Sequence, residues 1–64
     1  MPSNTELRAM QKTTLHHLLL IKHELDKKNI IAAELDKYIS VTIAAMEAED
    51  VAYVQKVLES LLTS

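Results

Sequence analysis

The sequence is almost free of residues that interrupt a helix. It contains no glycine, and its only proline is Pro2, so residues 3–64 lack both of the strongest helix breakers. Asn-Gly dipeptides, which mark tight β-hairpins, are also absent. A chain of 64 residues is long enough for one small domain. The sequence therefore predicts a single helical domain over residues 1–64, in the all-α class.

A chain of this length can bury only a small core. Below about 70–80 residues, a core rarely supplies more than about 3–5 kcal/mol, and small domains usually add disulfides, a metal or a second subunit. The sequence has no cysteine, which excludes disulfides and thiolate zinc sites. We therefore expect association with a second chain to supply the missing stability, and we expect no cofactor.

The apolar residues form three helical stripes that point in different directions. The first stripe consists of Leu7, Met10, Thr14, Leu18, Ile21 and Leu25. The second consists of Ile31, Leu35, Tyr38, Ile39, Thr42 and Met46, and the third of Val51, Val54, Val57, Leu58, Leu61 and Leu62. In one continuous helix, successive stripes would differ in direction by roughly 180° and 130°. The pattern predicts helix 1 over about residues 5–27, helix 2 over about 30–48 and helix 3 over about 50–63.

Residues at the predicted ends suit these boundaries. Ser3 and Glu6 have the spacing of a capping box at the start of helix 1. Asn29 suits the first break because Asn tolerates the left-handed conformation and also caps helices. Asp50 is predicted to be the N-cap of helix 3. Because no Gly or Pro marks this second break, one kinked helix in place of helices 2 and 3 remains an alternative.

The charges are unevenly distributed along the chain. Residues 1–28 have a net charge of +2 and residues 29–64 have a net charge of −4. This asymmetry can orient a neighbouring chain or a partner, but it is too weak to indicate nucleic acid. A dimeric DNA-associated regulator is the alternative hypothesis. It requires the basic residues of helix 1 to converge on one surface, namely Arg8, Lys12, Lys22 and Lys27.

No arrangement typical of an enzyme is visible. The sequence has no glycine-rich phosphate loop and no recognisable set of nucleophile, base and orienting residue. His16, His17 and His23 lie on helix 1, but they lack the spacing of three or four that a helical metal pair prefers. We interpret them as surface histidines. We predict no catalytic, cofactor-binding or metal-binding residues, and no enzymatic activity.

Two short segments resemble phosphorelay proteins. His-Glu-Leu at residues 23–25 resembles the start of the phosphoacceptor box of sensor histidine kinases, although Asp26 and Lys28 replace the Arg and Pro of that box. Glu-Leu-Asp at residues 34–36 resembles part of the Ser-Gln-Glu-Leu-Asp segment of small helical-hairpin aspartyl-phosphate phosphatases, with Ala32 in place of the Ser. These resemblances imply a reactive His23 or Asp36, and a phosphorelay phosphatase or phosphotransfer protein is our third hypothesis.

Several apolar residues lie outside the three stripes. Leu15 and Leu19 are about 120° from the main stripe of helix 1 and one turn apart. Either they pack on helix 3 within the monomer, or they pack on another chain. Surplus apolar surface usually marks an interface. The predicted protein-interface residues are Leu15, Leu19, Leu20, Ile30, Val41, Ala44 and Ala48.

These patterns predict an architecture and a broad function. We expect a helical hairpin with a short third helix, completed as a homodimer with a four-helix-type core. The favoured function is a non-catalytic regulatory or adaptor protein that binds another protein through its helices. The longest strongly apolar run, Leu18 to Ile21, is far too short to span a bilayer. We therefore expect a soluble cytoplasmic protein without a membrane partner.

Overall fold

A computed structural model describes residues 4–63, which form three α-helices. Helix α1 spans Asn4–Lys27, α2 spans Ala33–Ala44 and α3 spans Ala48–Thr63. Residues 4–63 contain no strand, so the all-α prediction is confirmed. The second helix is shorter than predicted: it begins at residue 33 rather than about 30 and ends at residue 44 rather than about 48. With 12 residues it is shorter than α3, which has 16, so the prediction that the third helix is the short one is wrong. The capping box predicted at Ser3 lies outside the described residues.

The first break lies where the sequence predicts it. Asn29 has a φ of 57°, in the left-handed region. The N–H of Ile30 donates to the carbonyl of Leu25 at 2.9 Å, and the N–H of Asn29 donates to the carbonyl of Asp26 at 3.1 Å. This pair of bonds is a Schellman motif, which satisfies carbonyls left without partners at a helix end. Asn29 therefore ends α1 and turns the chain toward α2.

The second break separates α2 from α3, so the kinked-helix alternative is wrong. Residues 45–47 connect the two helices. The carbonyl of Glu47 accepts the N–H of Asp50 at 3.0 Å and the N–H of Val51 at 3.1 Å, which places Glu47 at the N-cap. The prediction that Asp50 is the N-cap is wrong as well. Asp50 lies in the first turn of α3, and its carboxylate contacts α1 instead.

Helix α1 is the central element, because α2 and α3 both pack on it and touch each other only marginally. The amide of Gln11 donates to the carbonyl of Ala45 at 3.4 Å, and Lys22 pairs with Asp36 at 2.6 Å. These contacts show that α2 runs antiparallel to α1. Helix α3 runs in the same general direction as α1, since Asp50 lies beside Arg8 and Tyr53, further along α3, lies beside Lys12, further along α1.

The core is small: among residues 4–63, four apolar residues are buried, one each from α1 and α2 and two, Val54 and Leu58, from α3. Leu15, Ile39 and Val54 form its centre, and Leu15 is completely inaccessible to solvent. The side chains packed around this centre are Leu18, Leu19, Leu35, Ile43, Met46 and Val51. Of the two alternatives for Leu15 and Leu19, the structure therefore shows the intramolecular one.

The face that α1 buries differs from the face predicted to be its core stripe. Leu7, Met10 and Ile21 belong to that stripe, but they are 45%, 61% and 49% exposed. Thr14 is exposed as well. The apolar residues of α1 occupy about half of its circumference, and α2 and α3 together cover only the half that contains Leu15. The expectation that the first stripe packs inside the monomer is wrong for these four residues.

The monomer is more open than a compact chain of its size. Its radius of gyration is 12.4 Å, whereas a compact chain of 64 residues has about 11 Å. Its accessible surface is 5027 Å², whereas a compact monomer of 7.2 kDa exposes about 4100 Å². The excess is about 900 Å², and part of it is the apolar surface of α1.

Candidate interaction surfaces

A pair of charged residues joins the starts of α1 and α3. Arg8 donates from Nε to Asp50 Oδ2 at 2.8 Å and from Nη2 to Asp50 Oδ1 at 2.9 Å, which is bidentate geometry. The same Nη2 lies 2.6 Å from Glu49 Oε1. Asp50 is only 5% exposed, and within residues 4–63 no buried side-chain polar atom lacks a hydrogen-bond partner. Both charges are satisfied by each other, so the pair has a structural role.

The ion pair also determines the titration of its members. The hydrogen bond from Arg8 lowers the pKa of Asp50 below its ordinary value, although burial of the carboxylate acts in the opposite direction. The bonds to Asp50 and Glu49 raise the pKa of Arg8 above its usual range. Asp50 therefore stays ionised throughout the neutral range and holds α3 against α1.

A second ion pair joins α1 to α2. Lys22 Nζ lies 2.6 Å from Asp36 Oδ1 and 3.9 Å from Asp26 Oδ1. The hydrogen bond to Asp36 raises the pKa of Lys22 above 10.5, so the lysine is protonated at neutral pH. Because these groups are partly exposed to solvent, the pair fixes the relative position of the helices more than it stabilises them.

An apolar surface lies where α1 and α2 meet, on a side that α3 does not cover. A concavity of about 320 Å³ there is lined by Leu7, Met10, Gln11, Thr14, Val41, Thr42 and Ala45. Val41 also lines a neighbouring concavity with Tyr38, Glu34 and Lys37, so the surface continues along α2. The name open face is used for the five residues that carry this surface, Leu7, Met10, Thr14, Tyr38 and Val41.

The part of the open face at the start of α1 is uncovered because α2 is shorter than α1. The two helices have 12 and 24 residues, which correspond to lengths of about 18 Å and 36 Å. The contact between Gln11 and Ala45 places the end of α2 beside the third turn of α1. Leu7 and Met10 lie at or beyond that end, so only the last residues of α2 lie near them, and both side chains stay exposed.

A different groove lies between α1 and α3. Its first concavity, of about 300 Å³, is lined by Lys12, Thr13, His16, His17, Leu20, Tyr53, Val54 and Val57. A second concavity continues along α3 and is lined by Tyr53, Lys56, Val57, Ser60 and Leu61. Lys12 Nζ lies 5.3 Å from the centre of the Tyr53 ring, within the range of a cation–π contact. The name basic groove is used for these two concavities, which share Tyr53 and Val57.

The seven predicted interface residues do not form one surface in the monomer. Leu15 and Leu19 belong to the core, Leu20 lines the basic groove and Val41 belongs to the open face. The other three are exposed and lie apart along the chain: Ile30 follows α1, Ala44 ends α2 and Ala48 begins α3. A protein-binding role for the accessible residues of this set stays a prediction.

Several residues of both surfaces were not predicted as interface residues. Leu7, Met10 and Tyr38 belong to apolar stripes and were assigned to the core. Their helical spacing is typical of buried residues, but these side chains are exposed in the monomer, and spacing alone cannot indicate whether another chain covers them. The basic groove has no such signal, since Lys12 and Tyr53 are 41 residues apart and meet only through folding.

The described residues form neither a metal-binding cluster nor a membrane-spanning helix. Among residues 4–63, no three His, Asp or Glu side chains lie close enough together to hold a metal ion. No helix in the described part of the chain has the length and apolar composition needed to cross a membrane.

Comparisons with protein families, curated proteins and solved structures found no match to this chain. The case for a function therefore depends on the residues and surfaces of the protein itself.

Proposed function

We propose that this protein is a small, non-catalytic regulatory or adaptor protein that binds other proteins through its helices and acts as a homodimer. The observation that carries the proposal is the open face. Met10, Tyr38 and Val41 are each more than half exposed on helices whose apolar spacing is typical of burial. Apolar surfaces of this kind mark protein interfaces in soluble proteins.

The size of the uncovered surface supports a dimer. A standard protein interface buries about 800 Å² on each partner, and the accessible surface of this monomer exceeds that of a compact chain by about 900 Å². Two copies joined through their open faces would bring together α1 and α2 of each chain. The result would be a four-helix-type core, in which each chain contributes an antiparallel pair.

The charges beside the open face are compatible with self-association. Glu34 and Lys37 line the concavity next to Tyr38 and Val41, so this edge has one negative and one positive side chain. In a two-fold interface the same patch meets itself. A patch with balanced charge can meet a copy of itself without net repulsion, and the apolar areas of the two copies match.

Light scattering over a dilution series tests the dimer. We expect the wild-type protein to have twice the monomer mass, and Met10→Glu and Val41→Glu to have the monomer mass while remaining helical by circular dichroism. Both changes place a charge at an exposed site of the monomer, so its own core stays intact. Gln55→Glu is the matched control, because Gln55 is exposed on α3 and lines neither surface. A monomeric wild type, or dimers that persist in both open-face variants, would contradict the proposal.

The two alternative functions lack a specific supporting observation. A DNA-associated regulator needs free basic residues on α1, but Arg8 and Lys22 already contact carboxylates. Salt-sensitive retention on duplex DNA would favour that alternative. A phosphorelay role needs a reactive His23 or Asp36, and the Asp36 carboxylate is paired with Lys22. Phosphoryl transfer that is lost in His23→Ala would favour the phosphorelay alternative.

A further inference from the structure

The basic groove has a charge opposite to that of the whole chain. The protein has nine acidic and seven basic residues. Among the described residues that line the two concavities of the groove, there are two lysines and two histidines but no Asp or Glu. Lys12, His16 and His17 come from α1, and Lys56 comes from α3. Folding therefore brings two lysines, Lys12 and Lys56, to one side of a protein whose net charge is −2.

The floor of the groove is apolar. Leu20 and Val57 line it and are partly buried, and Val54 beneath them is almost completely buried. The Tyr53 ring is 59% exposed where the two concavities meet, and Lys12 lies over it. An apolar floor with charged side chains along its edges matches the groove type that binds an amphipathic helix.

The dimensions of the groove suit a helical segment. Its lining residues on α3 run from Tyr53 to Leu61, a rise of about 12 Å at 1.5 Å per residue. Those on α1 run from Lys12 to Leu20, which is also about 12 Å. A groove of this length accommodates two to three turns of a helix, with apolar residues at spacings of three and four toward the floor.

We propose that the basic groove is a docking site for an acidic amphipathic helix of a partner protein. The apolar side of that helix contacts Leu20, Val57 and the Tyr53 ring. Its carboxylates pair with Lys12 and Lys56 at the edges of the groove. This inference rests on the proposed function, because it names the chemistry of the partner that an adaptor of this kind would bind.

The separation of the two surfaces favours this partner over a second copy of the chain. The acidic residues at the start of α3 are already engaged, since Arg8 contacts both Glu49 and Asp50. The basic groove and the concavity of the open face share no lining residue. A homodimer formed through the open face therefore leaves the groove residues available for a different protein.

Selection from a displayed peptide library tests the partner chemistry. The library consists of 14-residue helices with Leu at spacings of three and four and with Glu, Lys, Gln or Ser at the other positions. We expect selection on the full chain to enrich peptides with a net negative charge, and enriched peptides to shift the NMR signals of His16, Tyr53 and Val57. Enrichment of neutral or basic peptides, or a failure of every peptide to bind at millimolar concentration, would overturn the proposal.

Charge-reversal variants test the site. Lys12→Glu and Lys56→Glu should each weaken binding of a selected acidic peptide at least tenfold, and added salt should weaken binding to the wild type. Lys28→Glu is the matched control. This substitution makes the same charge change, but Lys28 is exposed after the end of α1 and does not line the groove. Equal losses in all three variants would show that only net charge matters and would overturn the assignment of the groove.

The outcomes separate this inference from the proposed function. Peptide binding that is lost in Met10→Glu but retained in Lys12→Glu would place the docking site at the open face. The groove inference would then fail while the adaptor function stood. A dimer that dissociates in Lys12→Glu would mean that a second copy occupies the groove, which also overturns the inference. A monomeric wild type that binds no peptide would contradict both proposals.

Discussion

At the scale of single residues, Asp50 is a buried charged side chain that links two helices. It is buried at the junction of α1 and α3, and the guanidinium of Arg8 satisfies both of its carboxylate oxygens. Removing one member of such a pair is costly, because the other charge is left with reduced access to water. The pair thus specifies which part of α3 lies beside the start of α1.

The Arg8–Asp50 pair should make the free energy of unfolding depend on pH in the acidic range. Asp50 has a pKa below 3.8 in the folded protein, so its contribution to stability is present above that value and is lost as pH falls through the folded-state pKa. We expect Asp50→Asn to be less stable at neutral pH and to lose less stability between pH 5 and pH 2 than the wild type does. Urea unfolding at a series of pH values measures both effects.

Glu49→Gln provides the control for this measurement. Glu49 contacts the same guanidinium, but its side chain is 75% exposed, so its removal should change stability less. If Asp50→Asn had the same pH dependence as the wild type, another carboxylate would be responsible for the acid sensitivity.

At the scale of the helices, the end of α1 depends on a single backbone conformation. Asn29 adopts a φ of 57°, and the Schellman bonds of Ile30 and Asn29 require that conformation. Residues with a Cβ and no local hydrogen-bonding group find it costly. The direction in which α2 returns along α1 is set at this turn, and with it the position of the open face.

Substitution of Asn29 should reveal this requirement. Asn29→Ala should lower the free energy of unfolding by about 1 kcal/mol, because Ala pays the left-handed penalty that Asn and Gly largely avoid. Asn29→Gly should leave stability close to that of the wild type. Chemical denaturation of the three proteins checks the order. Equal stability of the Ala and Gly variants would contradict the view that φ determines this helix end.

At the scale of the whole molecule, stability and association should be coupled. The core of one chain has few fully buried side chains, and an interface of the expected size would add apolar burial that the monomer lacks. A dimer that dissociates on unfolding is stabilised by mass action, so its melting temperature rises with protein concentration.

Thermal unfolding at several protein concentrations tests this coupling. We expect the melting temperature of the wild type and of Gln55→Glu to rise with concentration, and that of Met10→Glu to be lower and independent of it. If the melting temperature of the wild type did not change with concentration, each chain would be stable alone and the open face would not be buried by a second copy.

The features that depend on local physics could be predicted from the amino-acid sequence. The absence of Gly and interior Pro determined the all-α class, and the changes in stripe direction predicted three helices. Asn29 was identified as the first break because its tolerance of the left-handed conformation is a property of that residue. The second break was found only approximately, since no residue there forces the chain to turn, and Asp50 was misassigned as its cap.

Which apolar side of α1 is buried depends on how α2 and α3 pack against it. Its apolar residues cover about half of the helix, so periodicity alone allowed either the stripe of Leu7 and Met10 or the side of Leu15 to form the core. The length of α2 and the Arg8–Asp50 contact resolved this choice in favour of Leu15. The open face and the basic groove follow from the same packing, because each joins residues from two helices that are distant in sequence.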